Sequence, residues 1–522
     1  MSTFPAERSA EDGGLRFPPA SPALTGVGAQ TERSAETEPE ETLDPGTWTE
    51  LRALGHEMLD DMFTYLEHLR DGPVWRPMPD EVRHRFTQPV PHAPQGARTA
   101  YQDFLDLVLP YVTGNAHPRF WGWVCGTGWG LPMLAEMLAA GVDSSVDGFD
   151  DAGSHVEAQV IDWCKEMLGF PPDASGLLMS GGSEANLVGL AVARNSHADM
   201  HLKESGLAGA RRLRVYGSAE MHSSIDKAAQ ILGLGTEGVC RVPVDSHYRV
   251  DCAAMDDAIE DDRRAGVEPM CIVGNAGTVN TGATDDLDAL ADLAARRGLW
   301  LHVDGAFGVW AALSPPLRSV LRGMHRADSL AFDLHKWMYF PYEAGCTLIR
   351  RADLHRSAFA YHAHYLGAAE RGLAAERTPP FSSYGPQLSR GFRALKIWMG
   401  LKEHGADKFR RLIEQNVSQA NQLATLVDQA DDLELLAPVP LNVVCFRHVG
   451  RCRTNDPRLN ELNEEIIWRV QERGVAVASR AVLDGRLGLR VAITNHRTQV
   501  SDLQVFVAEV QRVGAEVARR LG

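Results

Sequence analysis

Between Gly176 and Trp337, short apolar stretches alternate with helix-like stretches of ten or more residues, and this alternation strongly limits the possible folds. The strand-like stretches read GLLMS, RRLRVYGS, MCIVGNA, LWLHVDGAF and SLAFDLHKW. Parallel strands need crossover connections, usually helices, and are buried on both faces, so they appear as short continuous apolar runs. The pattern therefore predicts an α/β fold with a mostly parallel sheet, whose ligands bind at the carboxyl ends of the strands.

The patterns on either side of this region predict the domain organisation. Residues 1–44 are rich in Ser, Ala, Glu, Pro, Gly and Thr with little aliphatic periodicity, so we predict a disordered extension. Residues 45–115 begin with a helical stripe of apolar side chains and are predicted to form an N-terminal helical segment. We expect a large domain over 116–410 and a small C-terminal α/β domain over 411–522, where strands and helices alternate again.

The composition excludes several classes of function. The 522 residues include 52 Lys and Arg against 69 Asp and Glu, and this net charge of −17 without a basic stripe argues against nucleic-acid binding. The eight cysteines are scattered, which favours free thiols over a zinc site or a disulfide framework, and we expect no metal. No apolar run approaches the ~18 residues that span a bilayer, and no signal-peptide pattern is visible, so we expect a cytoplasmic protein away from membranes.

Polar residues follow four of the predicted strands, and each has an ordinary structural interpretation when taken alone. Gly182 and Ser183 join a strand to a helix, where they could bind an anion or simply cap the helix. His222 could be a hydrogen-bonded structural residue, and Asp304 a turn or capping residue. A single lysine such as Lys336 is usually solvated. Together and in this order, they match pyridoxal phosphate, which needs a phosphate cradle, a stacking group, an acid for its ring nitrogen and a Schiff-base lysine.

Seven motifs in the same order resemble the group II pyridoxal-phosphate amino-acid decarboxylases, which include aromatic-L-amino-acid decarboxylase and glutamate decarboxylase. The motifs are HPRF (117–120), SGGSEANL (180–187), HSSIDKA (222–228), VDGAFG (303–308), HKW (335–337), SRGFRALKIW (389–398) and LRVAITN (489–495). The resemblance extends from about residue 47 to the C-terminus. It implies the fold type I of pyridoxal-phosphate-dependent transferases, aspartate aminotransferase-like, with a mostly parallel seven-stranded sheet. It also implies a homodimer with the active site at the subunit interface and residues 45–115 in dimerisation.

The resemblance implies roles for the residues around the cofactor ring. Lys336 would form the Schiff base, and Asp304 would bind the pyridine nitrogen. His222 would stack on one face of the ring, and Ala306 would pack against the other face.

The resemblance also implies the residues that hold the phosphate. Gly182 and Ser183 would bind it, with His335 close by, and two further candidate contacts are Asn275 and Thr278. The chain carries Asp333-Leu334 where the aromatic-amino-acid branch has Asn-Pro. A carboxylate next to a phosphate would repel it unless it is protonated or turned away.

The resemblance implies the decarboxylation of an L-amino acid to an amine and CO₂. Tyr365, in AFAYHAHYLGAAERG, aligns with a family tyrosine on a mobile loop that delivers a proton to the substrate, and Tyr361 is the alternative. Relatives that form aldehydes typically carry Phe at that position. Decarboxylation-coupled oxidative deamination to an aldehyde and an aminotransferase of the same fold are the alternative reactions. Lys336 and Asp304 together argue against a non-catalytic binding protein on this fold.

The substrate side chain is expected to be apolar or aromatic. Phe120, Trp121 and Trp123 fall where the family builds its side-chain pocket, although such residues could equally pack against the N-terminal helices. Valine, methionine, phenylalanine, tyrosine and tryptophan all fit this expectation. Arg490 could bind a carboxylate or pair with an acid in the small domain.

Overall fold

A computed structural model of the chain describes residues 41–197, 202–361, 370–375, 377–450 and 458–521. Within these ranges the α-helices are α1 (Trp48–Glu67), α2 (Asp80–Arg85), α3 (Ala97–Asp103), α4 (Gly130–Val142), α5 (Ala152–Leu168), α6 (Gly182–Asn195), α7 (Leu202–Ser205), α8 (Ser224–Ile231), α9 (Cys252–Arg264), α10 (Leu287–Arg297), α11 (Ala352–Phe359), α12 (Ala394–Asp428), α13 (Arg458–Glu472) and α14 (Val500–Leu521). The strands are β1 (Ser175–Met179), β2 (Leu213–Ser218), β3 (Val239–Val242), β4 (Glu268–Asn275), β5 (Trp300–Asp304), β6 (Ser329–Asp333), β7 (Gly345–Ile349), β8 (Leu433–Leu435), β9 (Val443–His448), β10 (Ser479–Leu483) and β11 (Arg486–Ala492).

The larger sheet contains seven strands in the order β1-β7-β6-β5-β4-β2-β3. The strands from β6 to β3 in this order pair in parallel, whereas β7 pairs antiparallel with both β6 and β1. The predicted α/β fold with a mostly parallel, seven-stranded sheet is confirmed. The antiparallel strand has a simple cause: the chain returns from β6 to β7 through residues 334–344 without a crossover helix.

The carboxyl end of β6 is held firmly by aromatic packing. Trp310 is fully buried, its indole N–H donates to the carbonyl of Asp333 at 2.9 Å, and its ring meets Phe332 edge-on at 5.3 Å. Just beyond the strand, the indole of Trp337 and the hydroxyl of Tyr339 both donate to Oδ1 of Asn416. These contacts fix the backbone on both sides of Lys336.

The smaller sheet is antiparallel, with the strand order β10-β11-β9-β8, and α13 and α14 pack together against it. It is joined to the larger sheet by α12, whose helical geometry breaks at Gly405, where φ is 67°. The predicted boundary near residue 410 lies inside α12, shortly after this break. The other domain limits given above stay predictions.

Internal contacts divide the chain into two units, residues 1–54 and 55–522. The described part of the first unit contains the beginning of α1, and the second contains both sheets. Within the ranges described, no helix combines the length and apolar character needed to cross a bilayer.

Candidate active site

Lys336 follows the end of β6 and is the one residue between 330 and 340 that is not buried; its side chain is 24% exposed. Its Nζ lies 2.8 Å from Oδ2 of Asp333, a carboxylate that is 1% exposed. Burial alone would lower the pKa of Lys336, but the attraction of Asp333 outweighs it and raises this pKa. The lysine is therefore a partly enclosed ammonium held in an ion pair, rather than a solvated surface group.

Asp304 ends β5, the strand next to β6, and its carboxylate is buried without a basic partner. Oδ2 accepts a hydrogen bond from Nδ2 of Asn186 at 2.9 Å, and Oδ1 accepts one from the backbone N–H of Ala306 at 3.1 Å. Among the described residues, no lysine or arginine forms an ion pair with Asp304. A buried anion held only by neutral donors can bind a cationic N–H, such as that of a protonated pyridine ring.

His222 lies after β2, on the same side of the sheet as Asp304 and Lys336 and within electrostatic reach of both. Its Nδ1 is 2.9 Å from the hydroxyl oxygen of Ser224 and accepts from the Ser224 backbone N–H at 3.2 Å. Partial burial lowers the pKa of His222, against the opposing effect of the Asp304 carboxylate. The rest of the ring is exposed, so one face is open to a flat ligand.

The N-terminus of α6 forms a narrow cradle next to Lys336. A Cβ added to Gly182 would lie 2.8 Å from Oδ2 of Asp333 and 3.6 Å from Cβ of Ala306, so only glycine fits here. Ser183 is exposed in the first turn of the helix, whose unpaired N–H groups favour an anion. The cradle suits a phosphate, although Asp333, whose Oδ1 has no hydrogen-bond partner, places a negative charge beside it.

His335 is buried against this cradle. Its Nδ1 accepts from the backbone N–H of Ala344 at 3.0 Å, and its ring lies 4.4 Å from that of Tyr342. Burial lowers the pKa of His335 to about 4, although Asp333 opposes the shift, so the ring is neutral and carries its proton on Nε2. This N–H is directed toward the cradle, where Oδ1 of Asp333 lies 3.7 Å away.

Asn275 and Thr278, two predicted phosphate contacts, form side-chain hydrogen bonds to other residues of the chain. Nδ2 of Asn275 donates to Oδ2 of Asp285 at 2.9 Å and to Oγ of Ser218 at 3.2 Å. The hydroxyl of Thr278 is 2.9 Å from that of Thr281, and both side chains are buried. These contacts shape the loop after β4, where Asn275 lies beside Asp304 in the sheet register, and the phosphate roles of both side chains stay predictions.

The three predicted pocket residues have three different environments. Phe120 is buried against Val74 and Val477. Trp121 is 1% exposed; its indole donates to Thr498, and it packs in the core around the smaller sheet, so it offers no surface to a ligand. Trp123 is 58% exposed and has a φ of 54°. Of the three, only Trp123 presents a large free surface, because the other two side chains are used in packing.

The same loop contributes a residue that the sequence did not single out. Cys125 lies close to Tyr342 and within electrostatic reach of Lys336. Burial raises the pKa of the Cys125 thiol, so it is a neutral polar group. Only the sulfur chemistry could have marked Cys125 in the sequence, and eight scattered cysteines made that signal weak.

Arg490 on β11 has a buried guanidinium without an acidic partner among the residues described. Nη1 donates to the carbonyl of Val279 at 2.9 Å and Nη2 to Oγ of Ser479 at 3.1 Å, while Nε has no hydrogen-bond partner. Burial lowers the pKa of Arg490, and the nearby Cys125 and Cys445 oppose this shift only partly. An arginine in such surroundings can bind an incoming carboxylate.

Tyr365 lies outside the described residues, so the predicted proton donor has no place in this geometry. Tyr361, the alternative, is described and is 85% exposed. The other predicted groups, namely the lysine, the buried carboxylate, the histidine and the helix N-terminus, lie together at the carboxyl edge of the larger sheet. They offer what pyridoxal phosphate requires: an amine, an anion for its ring nitrogen, a flat face and an anion cradle.

Comparison with known proteins also indicates a pyridoxal-dependent enzyme. The family description "Pyridoxal-dependent decarboxylase conserved domain" matches residues 79–449. An aromatic-L-amino-acid decarboxylase of Bacillus atrophaeus is 33% identical over 90% of this chain and 96% of its own length. A phenylacetaldehyde synthase of Arabidopsis thaliana is 29% identical over 86% and 93%.

The crystal structure of Oryza sativa TDC with PLP and tryptamine shares the fold. Its TM-score is 0.85 at 24% identity, covering 91% of this chain and 100% of that one. The comparisons confirm the predicted fold, the pyridoxal phosphate cofactor and the carboxy-lyase activity. The chain belongs to the pyridoxal-dependent decarboxylase family.

Proposed function

We propose that the chain removes CO₂ from an L-amino acid with an apolar or aromatic side chain and releases the corresponding amine. The observation that carries the proposal is the meeting of Lys336, Asp304 and His222 at one sheet edge, beside the N-terminus of α6. The Bacillus atrophaeus relative is named for aromatic L-amino acids, and other similar proteins are named tyrosine and tryptophan decarboxylases. These names support an aromatic substrate.

Each side chain of the site has a role that its surroundings support. When bound, pyridoxal phosphate supplies an electron-withdrawing ring that stabilises the carbanion left by departing CO₂. Asp304 would keep a proton on the ring nitrogen, because none of the described lysines or arginines forms an ion pair with its buried carboxylate. Lys336 would hold the cofactor covalently, and Oδ2 of Asp333, at 2.8 Å, is placed to accept the proton that Nζ must first lose. His222 would lie against the ring.

Arg490 is our candidate for binding the substrate carboxylate. It lies near Cys125, which in turn neighbours Lys336, and its charge has no described counterion. A carboxylate held at this point would be oriented relative to Lys336, and orientation decides which bond to Cα breaks. Trp123, with its exposed indole, is the candidate for contacting the side chain.

The proton that replaces CO₂ at Cα is assigned, as a prediction from the motif, to the hydroxyl of Tyr365. The alternative product is an aldehyde, and the similarity to a phenylacetaldehyde synthase keeps that reaction as a second candidate. The tyrosine in this position favours the amine.

A homodimer is proposed on the basis of exposed apolar side chains. On α4, Met137, Leu138 and Val142 are 56%, 46% and 63% exposed. Phe63 of α1, which is 36% exposed, lies against the beginning of the same helix, 3.5 Å from the Cβ position of Gly130. Exposed apolar clusters of this kind mark interaction surfaces. A cytoplasmic location stays a prediction from composition.

Product analysis tests the proposed function. The purified, pyridoxal-phosphate-loaded protein is incubated with L-tryptophan, L-tyrosine, L-phenylalanine, L-methionine, L-valine and L-glutamate, and CO₂, amine, aldehyde, ammonia and peroxide are measured. We expect equal amounts of CO₂ and amine, with an aromatic substrate preferred over glutamate. Aldehyde accompanied by ammonia and peroxide would instead establish the second candidate.

A further inference from the structure

A chain of hydrogen bonds connects two residues of the site, Asp304 and His222. At its centre is Asn186, on α6, whose side chain is 1% exposed. Its Oδ1 lies 2.9 Å from Nε2 of His302, and its Nδ2 lies 2.9 Å both from Oδ2 of Asp304 and from Oγ of Ser224. Ser224 in turn lies 2.9 Å from Nδ1 of His222. One amide therefore joins the buried carboxylate to the stacking histidine.

The chemistry of the groups fixes the direction of every bond on the His222 side. An amide nitrogen can only donate, so Asp304 and Ser224 are both acceptors from Asn186. The backbone N–H of Ser224, which can only donate, lies 3.2 Å from Nδ1 of His222, so the Ser224 hydroxyl donates to Nδ1 as well. Nδ1 is thus an acceptor, and the neutral His222 ring carries its proton on Nε2. The network selects one tautomer of His222.

The direction is fixed on the other side as well. The indole N–H of Trp300 donates to Oγ of Ser329 at 2.7 Å. Oδ1 of Asn186 can only accept from Nε2 of His302, so Nδ1 of the neutral ring accepts from the Ser329 hydroxyl at 2.8 Å. His302 consequently carries its proton on Nε2 and donates it to Asn186. Burial lowers the pKa of His302 to about 4, so the ring is neutral at ordinary pH. If the Asn186 amide were rotated, its oxygen would face the Asp304 carboxylate and its nitrogen would face the N–H of His302. Neither contact would be a hydrogen bond.

We propose that Asn186 is a positioning residue that fixes the Asp304 carboxylate and, by orienting the Ser224 hydroxyl, reinforces the tautomer of His222 that the Ser224 backbone N–H also favours. The proposal rests on the roles proposed above for Asp304 and His222. Through this link, Asp304, which would bind the ring nitrogen, and His222, which would cover the ring, are held in a fixed position relative to each other. A residue that only filled space at this position would leave the tautomer and the cofactor affinity unchanged.

Two substitutions separate the two branches of the network. Asn186→Leu has nearly the same volume and removes both branches, whereas Ser224→Ala removes only the branch to His222. Asn195→Leu is the matched control, since it makes the same change on the same helix, where Asn195 contacts Arg194 and the carbonyl of Ala358. Thermal unfolding of each loaded protein measures any general loss of stability separately.

The first measurement is the tautomer of His222, read from ¹⁵N-histidine NMR spectra of the protein with and without pyridoxal phosphate and assigned with His222→Gln. We expect the proton on Nε2 in the unaltered protein and in Asn195→Leu. Asn186→Leu and Ser224→Ala both keep the backbone N–H of Ser224 as a donor to Nδ1, so both should show a partial shift toward the other tautomer. An unchanged tautomer in Asn186→Leu would overturn the proposal, whatever its stability.

The second measurement is the affinity for pyridoxal phosphate, from absorbance titration of the cofactor-free protein. We expect a Kd increased about tenfold or more in Asn186→Leu, through Asp304, and a smaller change in Ser224→Ala. Equal Kd values in Asn186→Leu and Asn195→Leu would contradict the Asp304 branch.

The third measurement is the pH profile of kcat, which reports how His222 titrates among its charged neighbours Asp304, Lys336, Asp333 and Lys227. The profiles of Asn186→Leu and Ser224→Ala should shift in the same direction, while that of Asn195→Leu stays in place. Opposite shifts would overturn the link through Ser224. Failure of the unaltered protein to release amine would instead refute the proposed function, and the tautomer result would still stand.

Discussion

Two neighbouring strands of the larger sheet, β5 and β6, both end in a buried aspartate, yet the two carboxylates have opposite surroundings. Asp304 accepts hydrogen bonds from two neutral donors, Asn186 and Ala306. Asp333 is paired with the ammonium of Lys336, and its second oxygen has no partner. Because of this difference, the Asp304 carboxylate can bind a new cation, whereas the Asp333 carboxylate controls the protonation of Lys336.

The largest effect is expected from removing the amine. Lys336→Ala should abolish the visible absorbance of the covalently bound cofactor and lower kcat by at least about a thousandfold, because it removes the amine proposed to form the Schiff base. Absorbance spectra and amine release measure both effects. Lys408→Ala, on the exposed side of α12, should behave like the unaltered protein. A bound, absorbing cofactor in Lys336→Ala would show that another lysine reacts.

The next largest effect is expected at the carboxylate without a cation. Asp304→Asn keeps the volume but removes the charge that would face the ring nitrogen. We expect kcat to fall by about a hundredfold to a thousandfold, as is typical when one preorganised electrostatic contact is lost. Initial rates of amine release at saturating cofactor measure this. An equal loss in Asp333→Asn would erase the distinction between the two aspartates.

A smaller effect with a defined sign is expected at the paired carboxylate. Since Asp333 raises the pKa of Lys336, Asp333→Asn should lower it and leave more of the amine unprotonated near neutral pH. The rate of cofactor attachment, followed by absorbance across a pH series, should therefore reach half its maximum at a lower pH. A midpoint moved to higher pH would contradict this assignment.

The same ion pair links stability to pH. A raised lysine pKa stabilises the folded cofactor-free protein at neutral pH, and this contribution is lost as the pH rises through the raised value. Asp333→Asn should lower the free energy of unfolding at pH 7 by about 1–3 kcal/mol, as for a lost hydrogen bond to a charged group. The difference from the unaltered protein should shrink at strongly alkaline pH. Denaturant titrations at several pH values measure it.

The smallest effects on catalysis are expected at the predicted pocket, where they distinguish packing from recognition. Trp121→Ala should destabilise the protein by about 3–5 kcal/mol because it empties a core site. Trp123→Ala should leave stability almost unchanged and raise KM for aromatic substrates. Thermal unfolding and substrate kinetics of the two variants make the comparison. A large loss of stability in Trp123→Ala would assign that side chain to packing as well.

The sequence alone predicted that a few polar groups, each unusual at its position, would lie close together. A strand-end aspartate, a lysine beside a histidine and a glycine-serine turn occur in one fixed order, and the structure places them at one sheet edge. The sheet itself followed from apolar runs alternating with helices. The antiparallel β7 did not, because the connection after β6 is shorter than a crossover helix and its direction depends on the fold.

The parts that the sequence did not reveal depend on contacts between distant residues. The Asn186 amide is hydrogen-bonded to Ser224, His302 and Asp304. Nothing in the motif around Asn186 indicates these three hydrogen bonds. Trp121 illustrates the opposite case, since an aromatic residue in a pocket motif can be wholly buried in the core around the smaller sheet. Burial and hydrogen-bond partners, rather than residue types, decide these cases.

Locating the bound cofactor on the chain tests most directly whether Lys336 forms the Schiff base. The loaded protein is reduced with borohydride, digested and analysed by mass spectrometry. We predict a phosphopyridoxyl group on Lys336, next to the ion-paired Asp333, and on no other lysine. A modified peptide from elsewhere in the chain, with Lys336 unmodified, would contradict the account.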